Sequence, residues 1–123
     1  VDAPCSGLGT LRRNPDLKWR QSPAAVAELQ AKQRAILSGA SRLLASGARL
    51  VYATCSLLAA ENEDVVAAFE SEHGADFVPL PAGDLLRAAG VGGVDELVDG
   101  RALRLWPHRH GTDGFFAVAW QKR

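Results

Sequence analysis

The sequence is first characterised by what it lacks. It has no methionine, one isoleucine, two cysteines and no apolar run near the roughly 20 residues that a membrane-spanning helix needs. Its start is acidic and turn-forming rather than basic and then apolar, so we expect neither a membrane span nor a secretory signal peptide. Because disulfide frameworks belong to secreted chains, the two cysteines are predicted to be free thiols in a cytoplasmic protein.

Length and composition indicate a soluble globular protein. The 123 residues suit one domain and not two, and the chain is 47% hydrophobic and 23% charged. Val1 is not a natural start, and the first residues resemble the end of a strand running into a loop. We therefore expect residues 1–123 to be a single partial domain, whose missing strands would leave an apolar sheet edge exposed to association.

A net charge of zero hides an uneven distribution of charge. Residues 12–49 carry eight basic and two acidic side chains, residues 61–99 carry one basic and ten acidic, and the last segment is basic again. Two basic segments around an acidic one would suit a polyanion such as nucleic acid on one face. An ordinary solvated surface explains the same pattern. Because the chain also shows a strong bias towards alanine and arginine, the arginine excess is not counted as evidence for nucleic-acid binding.

Hydrophobic periodicity predicts alternating helices and strands. Ser22 and Pro23 predict the start of a helix of about 24 residues that ends near Gly47. The remaining expected elements are a buried strand at 48–54, a helix at 61–73, a weak edge strand at 76–81, a loop at 82–100 with one helical turn at 85–89, and strands at 101–107 and 114–122. This alternation predicts a parallel sheet with helices packed on it.

In such sheets the chemistry collects at the carboxyl ends of the strands, where Cys5 and Cys55 both fall. A disulfide, two buried packing cysteines and a zinc site completed by His108 and His110 are all open alternatives for this pair. The zinc alternative lacks a C-x-x-C motif, and H-x-H is poor spacing for a structural site, so no metal is expected.

Three segments carry a resemblance to a known family. "DAPCSGLGTLRRNPDLKWR", "YATCSL" and "RLWPHRHGTDGFF" together resemble the Sun (Fmu) family of bacterial RNA cytosine-5 methyltransferases, over essentially the whole chain. The resemblance implies the C-terminal half of a Rossmann-like class I fold that depends on S-adenosylmethionine. That fold would have a mostly parallel sheet with a final antiparallel strand.

The resemblance also implies roles for individual residues. Carbon 5 of cytosine is a poor nucleophile, so a thiolate must first add to carbon 6, and in the family this is the thiol that maps onto Cys55. Cys5 maps onto the thiol assigned to product release. Asp2 would contact the cytosine ring and stabilise the adduct, and Asp2 and Pro4 would touch the cofactor. A strand-end acid that caps the next turn is the alternative role of Asp2.

The segment after Cys5 resembles the family's loop along the active-site cleft. Candidate contacts to the phosphates of RNA, with ribosomal RNA expected, are Arg12, Arg13, Lys18 and Arg20, and Trp19 is a candidate for stacking or packing. The segment 108–114 resembles the family's closing motif and is expected to support the active site structurally.

Most of the family's cofactor site, a glycine-rich loop and the acids after it, finds no match in these residues, so the chain is not expected to methylate alone. Three other functions remain open. A DNA-type cytosine-5 methyltransferase would use Cys5 as the nucleophile. A thiol hydrolase would pair Cys5 with His108 or His110 and Asp113. A non-catalytic RNA-binding module would need neither thiol.

Overall fold

The structure, a computed structural model, describes all 123 residues and contains one five-stranded sheet with helices packed against it. The helices are α1 (Leu17–Arg20), α2 (Pro23–Arg42), α3 (Glu63–His73), α4 (Ala82–Ala88) and α5 (Pro107–His110). The strands are β1 (Arg49–Thr54), β2 (Phe77–Leu80), β3 (Val98–Asp99), β4 (Ala102–Leu105) and β5 (Phe115–Lys122). Short 3-10 helices span Leu8–Thr10, Ala59–Glu61 and Val94–Glu96. None of the helices is both long enough and apolar enough to cross a bilayer.

The predicted start of α2 is confirmed, and its predicted end is wrong. The Ser22 hydroxyl accepts a hydrogen bond from the Ala25 N–H at 3.1 Å, and Pro23 occupies the first turn, where its missing N–H has no cost. The helix ends at Arg42, before the apolar spacing in the sequence ends, and Leu43 beyond it is 88% exposed. Apolar spacing alone therefore overestimated the length of the helix.

Strand β5 lies at the centre of the sheet. It pairs with β1 along one edge and with β4 and then β2 along the other, while β3 pairs with β4. Trp120 of β5 is fully buried and packs in the core with Tyr52, Phe69 and Leu37. The core therefore lies between the sheet and the pair α2 and α3.

The expectation of a mostly parallel sheet is wrong, because every strand pairing is antiparallel. Strands β1 and β2 do point the same way, as a strand–helix–strand unit requires, but β5 runs between them in the opposite direction. The one parallel contact is an isolated bridge between Asp2 and Ala53. Sequence periodicity placed the strands and could not show that the last strand separates the first two.

Residues 82–100, expected to be a loop, contain α4, a 3-10 helix and β3. The Ala82 N–H donates to the Arg101 carbonyl at 2.9 Å, which ties the start of α4 to the sheet. β2 pairs with β5 alone, so the prediction that this proline-containing strand lies at an edge is confirmed.

Candidate active site

The two cysteines lie in contact at one end of the sheet. Residues 1–3 run beside β1, with the Ala53 N–H donating to the Val1 carbonyl and the Ala3 N–H donating to the Ala53 carbonyl, each at 2.9 Å. Residues 1–3 and β1 are each followed by a loop that carries a cysteine. The two cysteine Sγ atoms lie 3.3 Å apart. Both thiols are free and partly buried. The structure thus brings together the two cysteines that the sequence places after strand ends.

Burial raises the pKa of the Cys5 thiol, and the hydrogen bond with Cys55 raises this pKa further. Cys5 is consequently protonated at neutral pH, and either sulfur can be the donor in the contact between them. A thiol with a raised pKa is a poor nucleophile near pH 7. The DNA-type and hydrolase alternatives would both require Cys5 to lose this proton before it attacks.

A buried carboxylate lies beneath the two cysteine loops. Glu61 is fully buried, and its oxygens accept from the Ser6 N–H at 2.7 Å, the Ser6 hydroxyl at 2.6 Å and the Gln33 side-chain amide at 3.2 Å. The Ser56 hydroxyl also donates to it. Ser6 and Ser56 are the residues that immediately follow the two cysteines. One acidic side chain therefore binds both loops.

Sequence reasoning missed this role of Glu61. The sequence places it among the acids at the start of a helix, where the helix dipole favours negative charge, whereas α3 begins only at Glu63. A signal was present, because the Cys-Ser pair occurs twice and each serine hydroxyl needs a hydrogen-bond acceptor if it is buried where the cysteines meet.

Two glycines join three loops around the thiols. The Gly9 N–H donates to the Cys55 carbonyl at 2.8 Å, and the Gly114 N–H donates to the Gly9 carbonyl at 2.6 Å. A Cβ atom built on Gly9 would lie 2.4 Å from the Cys55 carbonyl oxygen, and one on Gly114 would lie 2.9 Å from the backbone Cα of Gly9. The close approach therefore requires glycine at both positions.

The arginines predicted to contact RNA divide into two groups. Arg13 forms an ion pair with Asp113 at 2.6 Å, and Arg12 donates to the Gly111 carbonyl at 2.9 Å and lies 3.5 Å from the same carboxylate. Hydrogen bonding from Arg13 holds the pKa of Asp113 below its usual range. These two side chains fasten the loop after Cys5 to the segment 111–114, and both remain at least half exposed.

The second group surrounds an exposed aromatic ring. Trp19 is 80% exposed, and the Lys18 ammonium lies 4.9 Å from its ring centroid. Arg20 forms an exposed ion pair with Asp16 at 2.9 Å. An exposed indole ring with one cation over it and a second cation next to it in the sequence has the composition of a surface that stacks on a base and contacts phosphates.

The histidines do not join the thiols. The His110 Nδ1 atom accepts from the Trp106 N–H at 2.9 Å, so Nε2 carries the proton and donates to the Glu96 carbonyl at 2.6 Å. His108 lies beside the Trp106 ring, with centroids 6.0 Å apart. The structure contains no cluster of three side chains able to hold a metal ion. Neither the zinc site nor the Cys-His-Asp arrangement of a hydrolase is formed.

Asp2 and Pro4, the predicted cofactor contacts, are both exposed beside the cysteine loops. None of the cavities of the chain is lined by either residue. One carboxylate and one proline ring cannot enclose a cofactor as large as S-adenosylmethionine. These residues therefore do not form a cofactor pocket by themselves.

Comparison with known proteins shows the family to which this chain belongs. The sequence model of the family described as 16S rRNA methyltransferase RsmB/F matches residues 1–121. A probable ribosomal RNA small subunit methyltransferase B from Synechocystis is 43% identical over 99% of this chain and 26% of its own length. The crystal structure of PH0851 superposes with a TM-score of 0.84 at 36% identity, over 98% of this chain and 25% of that one.

A further solved structure, NSun6 from Pyrococcus horikoshii with SFG, superposes with a TM-score of 0.74 at 26% identity, over 99% of this chain and 29% of that one. The family model and the two superpositions define a methyltransferase-type domain. The chain belongs to the 16S rRNA methyltransferase RsmB/F family. It spans about a quarter of the length of the relatives that it matches.

Proposed function

We propose that the protein containing this chain methylates carbon 5 of a cytosine in RNA, with ribosomal RNA as the substrate and S-adenosylmethionine as the methyl donor. The observation that carries the proposal is the pair of thiols 3.3 Å apart at one end of the sheet. Membership of an rRNA methyltransferase family supports the reaction class and the substrate class. We further propose that residues 1–123 form part of a larger catalytic domain in a cytoplasmic protein.

The two thiols are assigned different steps. The Cys55 sulfur, as thiolate, bonds to carbon 6 of the cytosine, and the ring electrons make carbon 5 nucleophilic. Carbon 5 then takes the methyl group that the bound sulfonium supplies. Solvent water takes the proton from carbon 5, and the electron pair of that bond restores the ring double bond. The carbon–sulfur bond to Cys55 breaks, and Cys55 leaves as a thiolate. Cys5 acts in this release step.

The raised pKa of Cys5 supports this division of labour. When Cys55 is the thiolate, a protonated Cys5 is positioned to donate a hydrogen bond to its sulfur across the 3.3 Å contact. Cys5 itself stays neutral and does not compete for carbon 6. In the same scheme the exposed Asp2 contacts the cytosine ring and stabilises the adduct.

The rest of the cofactor site is assigned to residues outside this chain. Asp2 and Pro4 would form one edge of it, next to the thiols, which is consistent with their exposure. Because the chain encloses no such pocket, we expect residues 1–123 alone to be inactive.

RNA is proposed to lie along the loop after Cys5. Lys18 and Arg20 would contact phosphates, and Trp19 would stack on an unpaired base, since all three are exposed on one short helix. Arg12 and Arg13 would add exposed positive charge while they hold the loop to Asp113. A purely RNA-binding module would need the same basic surface and not the pair of thiols in contact.

The test uses the full-length protein with its RNA and S-adenosylmethionine, and compares wild type, Cys5→Ala and Cys55→Ala. Methyl incorporation and RNA-linked protein on a denaturing gel are measured. We expect Cys55→Ala to be inactive without an adduct, and Cys5→Ala to accumulate one. An adduct that requires Cys5 would reverse the two roles, and full activity of both variants would favour the RNA-binding module.

A further inference from the structure

The Glu61 carboxylate is buried without a cationic partner and is satisfied by neutral donors alone. It accepts from the Ser6 N–H, the two serine hydroxyls and the Gln33 amide. Burial of a carboxylate costs several kcal/mol unless such donors surround it, and an apolar side chain would fill the space without that cost. A purely space-filling role therefore does not explain an acid at this position.

The donors explain it better, because they come from both cysteine loops. Ser6 follows Cys5, Ser56 follows Cys55, and the two serine Oγ atoms lie 3.4 Å apart, close to the 3.3 Å that separates the sulfurs. The two serines therefore face each other across the two loops in the same way as the two cysteines that precede them. The carboxylate fixes this spacing from below.

Glu61 is itself held in place by its neighbours. The Tyr52 hydroxyl donates to the Glu61 carbonyl at 2.6 Å. The Asn62 side chain accepts from the Thr54 hydroxyl at 2.5 Å and donates to the Ser56 carbonyl at 2.9 Å. Glu61 and Asn62 are both fully buried. These contacts anchor the carboxylate to the end of β1, where the Cys55 loop begins.

We propose that Glu61 is a positioning residue for the two thiols, acting through Ser6 and Ser56. The Ser56 hydroxyl orients the loop of the attacking thiol, and Ser6 orients the loop of the releasing thiol. Displacement of a reacting group by about 1 Å can lower a rate about a hundredfold, so loosening either loop has a kinetic effect out of proportion to the lost hydrogen bond. The assignment of steps to the loops rests on the proposed function, whereas the positioning itself does not.

The first arm of the test needs neither RNA nor cofactor. In the full-length protein, diamide accepts two electrons and two protons from Cys5 and Cys55 as their disulfide forms, and the closure rate is followed by alkylation and mass spectrometry. We expect Ser6→Ala and Ser56→Ala to close about tenfold more slowly than wild type, and Glu61→Gln at least as slowly. Ser41→Ala is the matched control, since this buried serine donates to a backbone carbonyl in α2.

Equal closure rates in wild type, Ser41→Ala and the two loop variants would overturn the positioning role. The serine variants keep this test decisive if Glu61→Gln does not fold, which far-ultraviolet circular dichroism will reveal.

The second arm measures methyl transfer. We expect Ser56→Ala to lower kcat about tenfold with little change in KM for RNA, and Ser6→Ala to accumulate the covalent adduct. If Glu61 only stabilised the fold, both variants would lose methyl transfer to the same extent and neither would accumulate the covalent adduct. That result would overturn the proposal. If wild type neither methylates RNA nor forms an adduct, the proposed function fails, while the closure rates still decide whether Glu61 positions the thiols.

Discussion

Gly9 is the point where the Cys5 loop, the Cys55 loop and the segment 111–114 are closest, and Gly9→Ala tests that geometry. Its added methyl group would lie 2.4 Å from the Cys55 carbonyl oxygen and 2.5 Å from the Gly114 carbonyl oxygen. Both contacts are to backbone atoms, so a side-chain rotation cannot relieve them. The loops must move apart by about 1 Å to reach ordinary van der Waals distance.

That movement sets the expected cost. It weakens two backbone hydrogen bonds, from the Gly9 N–H to Cys55 and from the Gly114 N–H to Gly9, each worth about 1 kcal/mol. Overpacking in a dense region adds about 1 kcal/mol or more. Gly9→Ala should therefore lower the free energy of unfolding by about 3 kcal/mol and, by shifting Cys55, abolish most methyl transfer.

The assay is urea denaturation of the full-length protein together with methyl incorporation into RNA. Gly39→Ala is the control, because a Cβ at this position in α2 meets nothing within 4 Å. That change should stabilise the protein by about 0.5–1 kcal/mol, since alanine favours a helix over glycine. A Gly9→Ala variant as stable and active as Gly39→Ala would refute the close packing of the three loops.

Three further predictions concern the cap, a surface ion pair and pH. Ser22→Ala should lower the free energy of unfolding in urea by about 1 kcal/mol, because it removes the cap of α2, and no change would contradict this. Asp113→Asn removes the ion pair with Arg13, which also lowers the pKa of Asp113, and should speed amide hydrogen exchange in residues 111–114 severalfold. Unchanged exchange would show that this ion pair does not hold the segment in place. Burial raises the pKa of Cys5, so the unfolded chain loses this proton first, and stability measured in urea should fall as pH rises above about 8.5. Cys5→Ala should make the loss of stability with rising pH smaller. Part of the loss should remain, because burial also raises the pKa of Tyr52. An equal loss in wild type and Cys5→Ala would contradict the raised pKa of Cys5.

Local signals in the sequence were sufficient to locate most elements. The Ser22-Pro23 pair predicts the start of α2, and the apolar run before Cys55 predicts β1, which the structure forms from Arg49 to Thr54. Both signals act within a few residues, so no knowledge of the rest of the fold is needed. The two cysteines lie together because residues 1–3 run parallel to β1 through the bridge between Asp2 and Ala53, although the mostly parallel sheet from which their meeting was predicted is wrong.

Sheet order was not predictable in the same way. The direction in which β5 runs, and its insertion between β1 and β2, depend on packing across the whole sheet rather than on any local pattern. Glu61 escaped for a related reason. Its role exists only once residues far apart in sequence meet, since it is 55 residues from Ser6.

The most direct test of the central claim is to identify which cysteine bonds to the cytosine. RNA containing 5-azacytidine has nitrogen in place of carbon 5, so after methyl transfer no proton can leave from that position and the adduct is trapped. Peptide mass spectrometry of the trapped full-length protein should find the nucleotide on the peptide that carries Cys55. Attachment to the peptide that carries Cys5, or no adduct with an active enzyme, would contradict the account.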